Sequence, residues 1–278
     1  MKSSKRSRCQ GIRTAVLGVA LVVVAAIVPA AGAASAAAGH DGHPTAEPTV
    51  VLVHGAWADG SSRSGVVGGL QRDGYTVAVP PNPLRGVAQD SAYLAAYLKT
   101  VQGPIVLVGH SYGGFVTTNA AAGNPNVKAL VYVDAYIPAQ GDTLNGLTAQ
   151  FPGSRVGPDA LDFVPSAGGV VDACLKPARF RGVLAGDLRP DQAARLAAVQ
   201  RPLAASALDE PSGRPAWATI RSWGVIGTAD RALPPAAQEF MAKRAGATIT
   251  KVNASHLSMI SRVGKVQDVI EDAARTIR

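Results

Sequence analysis

A serine flanked by glycines, in Gly109-His110-Ser111-Tyr112-Gly113-Gly114, follows the apolar run Ile105-Val106-Leu107-Val108. A serine hydroxyl is a weak nucleophile until a base stands within hydrogen-bond reach and a carboxylate orients that base. The G-x-S-x-G spacing sets such a serine on a sharp strand-to-helix turn, with its oxygen raised above the strand end. The N-terminus of the following helix favours negative charge there. Glycines at 109 and 113 let helix and strand approach where a Cβ would clash. A glycine-rich turn without chemistry is the competing reading of these five residues, and the partners decide between the two.

Five histidines are available as the base. His40 and His43 belong to a polar, proline-containing stretch. His54 sits in a glycine turn and His110 adjoins Ser111, pointing away from it, so both are read as structural. His256, in the loop Asn253-Ala254-Ser255-His256 after the last β-rich run, is left as the base. Asp230 follows a buried run, precedes His256 by 26 residues and can share its sheet edge, which makes it the favoured acid. Asp134, ending the strand after the nucleophile helix, is the competitor. Asp230 has an alternative use as a turn-forming residue ahead of Pro234-Pro235. Two N–H groups could hold an oxyanion. One is that of Tyr112, and the other that of Ala56, in the turn His54-Gly55-Ala56-Trp57 about 55 residues before Ser111.

The elements that must position these groups alternate. β-rich runs are expected at Thr49 to Val53, Thr76 to Val79, Ile105 to Val108, Ala129 to Asp134, Ser222 to Gly227 and Thr248 to Val252. Helices are expected at about Ser61 to Arg72, Gln89 to Thr100, from Ser111 to about Gly123, Pro235 to Ala245 and Val263 to Arg278. That rhythm implies right-handed βαβ units and a parallel sheet. It breaks between about 138 and 215, where a single helix, Pro190 to Gln200, stands out. A structureless loop of that length is improbable in a compact domain, so the segment is read as an inserted cap. It carries eight acidic and eight basic residues, and Leu144, Leu147, Phe151, Phe163, Val164, Leu196 and Leu203 suggest an apolar roof.

At the N-terminus, Lys2, Lys5, Arg6, Arg8 and Arg13 precede a 14-residue apolar run, Ala15 to Val28, and then small residues. This is the layout of a secretory signal peptide, 1–38, cleaved after Ala33, Ala36 or Ala38, with a flexible leader at 39–48. The run is short for a bilayer span of about 20 residues, so no stable membrane association is expected after cleavage. The formal charge of +8 falls to +3 once the five leading basic residues are removed, leaving 22 basic against 19 acidic. No basic stripe interleaved with aromatics supports nucleic-acid binding. Cys174 is then the single cysteine, read as a buried small hydrophobe.

The motifs His54-Gly55-Ala56-Trp57, Gly109-His110-Ser111-Tyr112-Gly113-Gly114, Gly227-Thr228-Ala229-Asp230 and Ser255-His256 resemble those of the α/β-hydrolase superfamily from Thr49 to the C-terminus. More narrowly, the chain resembles the small capped branch with plant methylesterases and hydroxynitrile lyases. The resemblance implies an α/β-hydrolase fold: a mainly parallel sheet of about six strands flanked by helices, with an inserted cap, in a domain of 49–278. It implies Ser111 as nucleophile, Asp230 as acid, His256 as base, and Ala56 and Tyr112 as oxyanion donors, with no cofactor and no metal. The expected function is that of a secreted serine esterase acting on small, mostly apolar carboxylic esters. The alternatives are a lyase using the same triad for proton transfer, and a ligand-binding protein with vestigial turnover. The mature chain is expected to begin between Ala34 and Gly39. N-terminal sequencing of the exported product checks this, and an exported form retaining Lys2 would refute it.

Overall fold

The computed structural model describes residues 47–277 of the 278-residue chain. The expected signal peptide and most of the leader lie outside the described residues. The first half runs β1 (Thr49–Val53), α1 (Ser64–Arg72), β2 (Val77–Ala78), α2 (Val87–Leu98), β3 (Ile105–His110), α3 (Gly113–Ala120) and β4 (Val127–Val133). An interval with α4 (Leu144–Ala149), β5 (Leu161–Pro165), β6 (Val171–Leu175), α5 (Pro177–Val183), α6 (Pro190–Ala198) and β7 (Leu203–Ala204) follows. The chain then resumes with β8 (Ser222–Gly227), α7 (Pro235–Arg244), β9 (Thr248–Val252), α8 (Ser258–Ser261) and α9 (Val263–Arg275).

Six strands form one parallel sheet in the order β2-β1-β3-β4-β8-β9. Its centre is made of continuous aliphatic runs because both faces are covered by helices. All six residues of β3 are buried, as are four of the five in β1. Helix α9 closes one face with Val266, Val269, Ile270, Ala273 and Ala274, the spacing of a single helical stripe, against β4 and β8. From β1 the chain moves outward to β2, and from β3 it moves the opposite way to β4. The carboxyl ends of β1 and β3 therefore flank a topological switch point, where open α/β sheets bind ligands.

The interval between β4 and β8 contains a three-stranded antiparallel sheet, β5-β6-β7, that the sequence pattern does not reveal. Only Leu161 of β5 is buried, so this strand has no alternation to read. In β6 the alternation is present: Ala173 and Leu175 face inward while Cys174 lies on the other face, half-buried rather than in the core. Contacts of Arg85, Trp57 and Glu210 help tie the cap to the sheet domain. Arg85 pairs with Asp172 at 2.7 Å, and Trp57 donates from N to Arg201 O at 3.0 Å and from Nε1 to Ala173 O at 2.9 Å. Glu210 accepts from Val87 N at 2.7 Å and Ala88 N at 2.8 Å. This carboxylate from the cap caps α2, which is why the helix starts before the expected Gln89.

Close approach of backbone segments holds the switch point together. A Cβ on Gly113 would lie 2.7 Å from Val53 O and 2.9 Å from His54 O, both main-chain atoms that cannot rotate aside. Gly113→Ala is therefore expected to destabilise the fold by about 1–3 kcal/mol. Gly264→Ala, where an added Cβ meets no atom within 4 Å in α9, should raise stability by about 0.4–1 kcal/mol. Urea unfolding of both variants checks the pair, and equal effects would contradict the packing argument.

Candidate active site

The turn after β3 gives Ser111 a backbone that most residues avoid, with φ 52°. Tyr136 N–H and Gly114 N–H both donate to Ser111 O, which fixes the turn from two sides. The side chain is thereby presented at the start of α3. His256 lies in the loop after β9, 2% exposed, with Nε2 2.8 Å from Ser111 Oγ and Nδ1 2.7 Å from Asp230 Oδ2. With the carboxylate accepting from Nδ1–H, Nε2 is left as the acceptor for the serine proton, the tautomer a general base requires.

Asp230, in the loop between β8 and α7, is held by its own surroundings. Ala232 N–H and Leu233 N–H donate to Oδ1 at 2.8 and 3.0 Å, and Gln238 Nε2 donates to Oδ2 at 2.7 Å. Its turn-forming and imidazole-orienting uses are thus combined in one side chain. Gln238 carries no motif signal and could not be found from sequence. Asp134, the other candidate acid, does not touch the imidazole. Its Oδ1 accepts from Gly227 N at 2.8 Å and its Oδ2 from Ser258 N at 3.0 Å, which joins the ends of β4 and β8 to the segment after His256. Asp134 also adopts a left-handed φ of 45°.

Burial pulls the His256 pKa down, but the charge and hydrogen bond of Asp230, with the charge of Asp134, outweigh it, and the net shift is upward. Asp134 is pushed above the usual carboxylate range by burial first and by Asp230 second.

The two remaining described histidines brace the site without entering it. His110 Nε2 donates to His256 O at 2.9 Å, supporting the loop from below. His54 accepts at Nε2 from Asn82 N at 3.2 Å and meets Gly55 O from Nδ1 at 3.0 Å. Burial, then the charge of Arg63, lowers its pKa to about 4, so it is neutral. The turn it begins rests against the serine: a Cβ on Gly55 would lie 2.6 Å from Ser111 Cβ and 2.9 Å from His110 O. Among the described residues, no main-chain acceptor meets Ala56 N–H or Tyr112 N–H. Trp57, with φ 56°, lines the cavity beside them.

That cavity measures about 40 Å³ and is walled by Ser111, His256, Tyr136, Leu144, Leu203 and Leu233 among others. Phe163 and Val164, expected in the roof, are instead 49% and 48% exposed on β5, where neighbouring side chains face opposite sides and both sides are open. Phe151 packs against Phe240 with the rings tilted and their centres 5.4 Å apart, and Leu196 lines a separate crevice with Phe180 and Trp57. Hydrophobicity alone does not say whether a cap strand is covered by its neighbours, hence this difference. Among the described residues no group of three or more His, Cys, Asp or Glu could hold a metal ion.

A profile of the alpha/beta hydrolase family matches residues 50–267. The chain belongs to this family. The carbendazim hydrolyzing esterase of Nocardioides sp. (strain SG-4G) is 36% identical over 112 residues, 35% of this chain and 46% of that protein. The match thus spans about half the length of that curated relative. A pyrethroid hydrolase from Sphingobium faniae JZ-2 superposes with a TM-score of 0.67 at 22% identity, covering 82% of this chain and 97% of that one. Polyneuridine aldehyde esterase gives 0.69 at 17% identity, with 81% and 98% covered. At these identities the two structures show the shared fold. Family members are united by sheet topology, and the chemistry of each has to be argued from its own site.

The geometry separates the two carboxylates by experiment. Asp230→Asn is expected to lower kcat on an activated ester by about 10³- to 10⁴-fold by imposing the wrong imidazole tautomer. Asp134→Asn should cost far less. Because a negative neighbour favours imidazolium, its removal should move the acid limb of the pH profile to lower pH. The reverse ranking of the two variants would transfer the orienting role to Asp134.

Proposed function

We propose that this protein is a serine esterase acting on small, mostly apolar carboxylic esters through an acyl-enzyme. The observation that carries the reading is the continuous chain Ser111 Oγ, His256, Asp230, with contacts of 2.8 and 2.7 Å, beneath an apolar cavity. In this reading His256 takes the Ser111 proton as the oxygen attacks the ester carbonyl, and Asp230 stabilises the imidazolium so formed. Ala56 N–H and Tyr112 N–H receive the carbonyl oxygen as it becomes negative. His256 then returns the proton to the leaving alcohol. Water repeats the sequence on the acyl-enzyme to release the acid. The esterase and pyrethroid hydrolase relatives are consistent with ester substrates. The basic, apolar and small-residue zones before Gly39 support export as part of the same proposal.

Cavity size narrows the substrate. A water needs about 10–15 Å³ of such space, so about 40 Å³ takes a short acyl group. Its walls include Leu144, Leu203, Leu208, Leu233 and Val156 beside Asn145 and Thr148, and the aliphatic part favours a hydrocarbon over a charged group.

A fluorophosphonate probe should label Ser111, and p-nitrophenyl acetate should be turned over. Labelling without turnover would favour a lyase or a binding protein, and absence of labelling would remove the serine reading. Along an acyl series kcat/KM should rise about fourfold per methylene, from about 0.8 kcal/mol each, for the first one or two additions. It should then fall well before octanoate. Leu203→Ala should move the optimum to longer chains while preserving labelling. A flat series from acetate to octanoate would show that these walls do not form the acyl pocket.

A further inference from the structure

Arg63 ends the short 3₁₀ turn Gly60–Arg63 and immediately precedes α1. Its side chain is 3% exposed. Nη2 donates to Val53 O at 3.1 Å, and Nη1 donates to Asp59 O at 3.1 Å and to Ser62 Oγ at 2.9 Å. Every acceptor is neutral. The acidic group within its Coulombic reach is Asp59, whose carboxylate binds Ser61 N and Ser61 Oγ while Arg63 meets only its main-chain oxygen.

This is an expensive place for a cation. Burying a guanidinium without a counter-ion is unfavourable, and the positive end of the α1 dipole adds to the cost. Burial lowers its pKa and Asp59 partly opposes the shift, leaving it at about 9. An apolar side chain of similar length would fill the same space at lower cost.

The hydrogen bonds indicate what the charge is held for. Val53 closes β1 and Asp59 follows the turn that contains Ala56, so the guanidinium joins the two ends of that turn. Val53 O is also the atom that a Cβ on Gly113 would meet at 2.7 Å, so the clamped carbonyl abuts the start of α3, next to Tyr112. The charge of Arg63 reaches both His54 and His110, each already lowered by burial, and helps keep both rings neutral.

We infer that Arg63 is a positioning residue for the oxyanion turn: it clamps the turn's two ends and keeps a positive charge, only partly balanced by Asp59, behind the site where the attacked carbonyl becomes negative. The inference rests on the esterase reading, since it needs an oxyanion at that point. The buried cation then gains a further negative neighbour only in the transition state, the condition under which an interaction raises kcat rather than binding.

The test replaces the charge by a side chain of similar length. Arg63→Met is expected to lower kcat on p-nitrophenyl acetate by about tenfold to a hundredfold, less than the loss of a direct oxyanion donor, with KM changed by less than about threefold. Inhibition by a phenyl trifluoromethyl ketone should weaken by a similar factor. That compound adds Ser111 Oγ to its carbonyl, leaves the proton on His256 and carries a negative oxygen. Inhibition by acetophenone, the same shape without the stable adduct, should be unchanged. The melting midpoint of Arg63→Met should equal or exceed that of the parent, and Arg63→Lys should recover part of kcat. Unchanged kcat and ketone inhibition in Arg63→Met would overturn the inference. A lower midpoint or failure to fold would overturn it too, because the guanidinium would then be a strut. Unsubstituted protein that fails to turn over the acetate would instead remove the esterase reading beneath it.

Discussion

The left-handed turn at Ser111 is the constraint on which the rest of the site depends. A serine at φ 52° holds that conformation only where its neighbours over-determine it. Here β3 is locked between β1 and β4 in parallel register, and Gly113 lets α3 start against the end of β1. Trp57 and Asp134, at the ends of β1 and β4, also have positive φ. Three adjacent strands therefore end in strained turns on one edge. Such strain is tolerated because the strands beneath are continuous and buried.

Electrostatics follow from that burial. Ser111, His256, Asp230 and Asp134 are each no more than 6% exposed, so their interactions are little screened by solvent. Two carboxylates beside one imidazole favour its charged form, while burial opposes it. Direct contact assigns Asp230 to the ring. Asp134 is assigned to the main chain, where it joins Gly227 and Ser258. Main-chain amides satisfy both groups, a requirement for charge held away from water.

The cap closes the site by hydrogen bonding to the same turns that make it. Trp57, next to Ala56, donates to Arg201 O and Ala173 O, and Glu210 caps α2. Tyr112, next to Ser111, donates from its hydroxyl to Asp90 at 2.7 Å near the start of α2. Cap, α2 and the Ser111 turn are consequently one connected unit. A cavity of about 40 Å³, lined by Leu144 and Leu203 among others, lies beside Ser111 and His256.

Sequence by itself determined the parts governed by local rules. The runs at Thr49–Val53 and Ser222–Gly227 match observed strands buried on both faces, and the half-exposed edge strand Thr248–Val252 is marked by its β-branched residues instead. Gly-His-Ser-Tyr-Gly marks its turn because backbone sterics require those glycines. Elimination among five histidines singles out His256, the histidine found against Ser111. Tertiary structure alone decided which carboxylate meets the imidazole, since Asp134 and Asp230 both end buried strands and differ only in where their loops turn. It also decided the β5-β6-β7 sheet, where short strands with exposed Phe163 and Val164 carry no periodic signal. Gln238 under Asp230 and Arg63 behind the Ala56 turn belong to the same class. Each is a polar residue on or beside a helix whose partner is set by long-range packing, and no spacing in the chain encodes that partner.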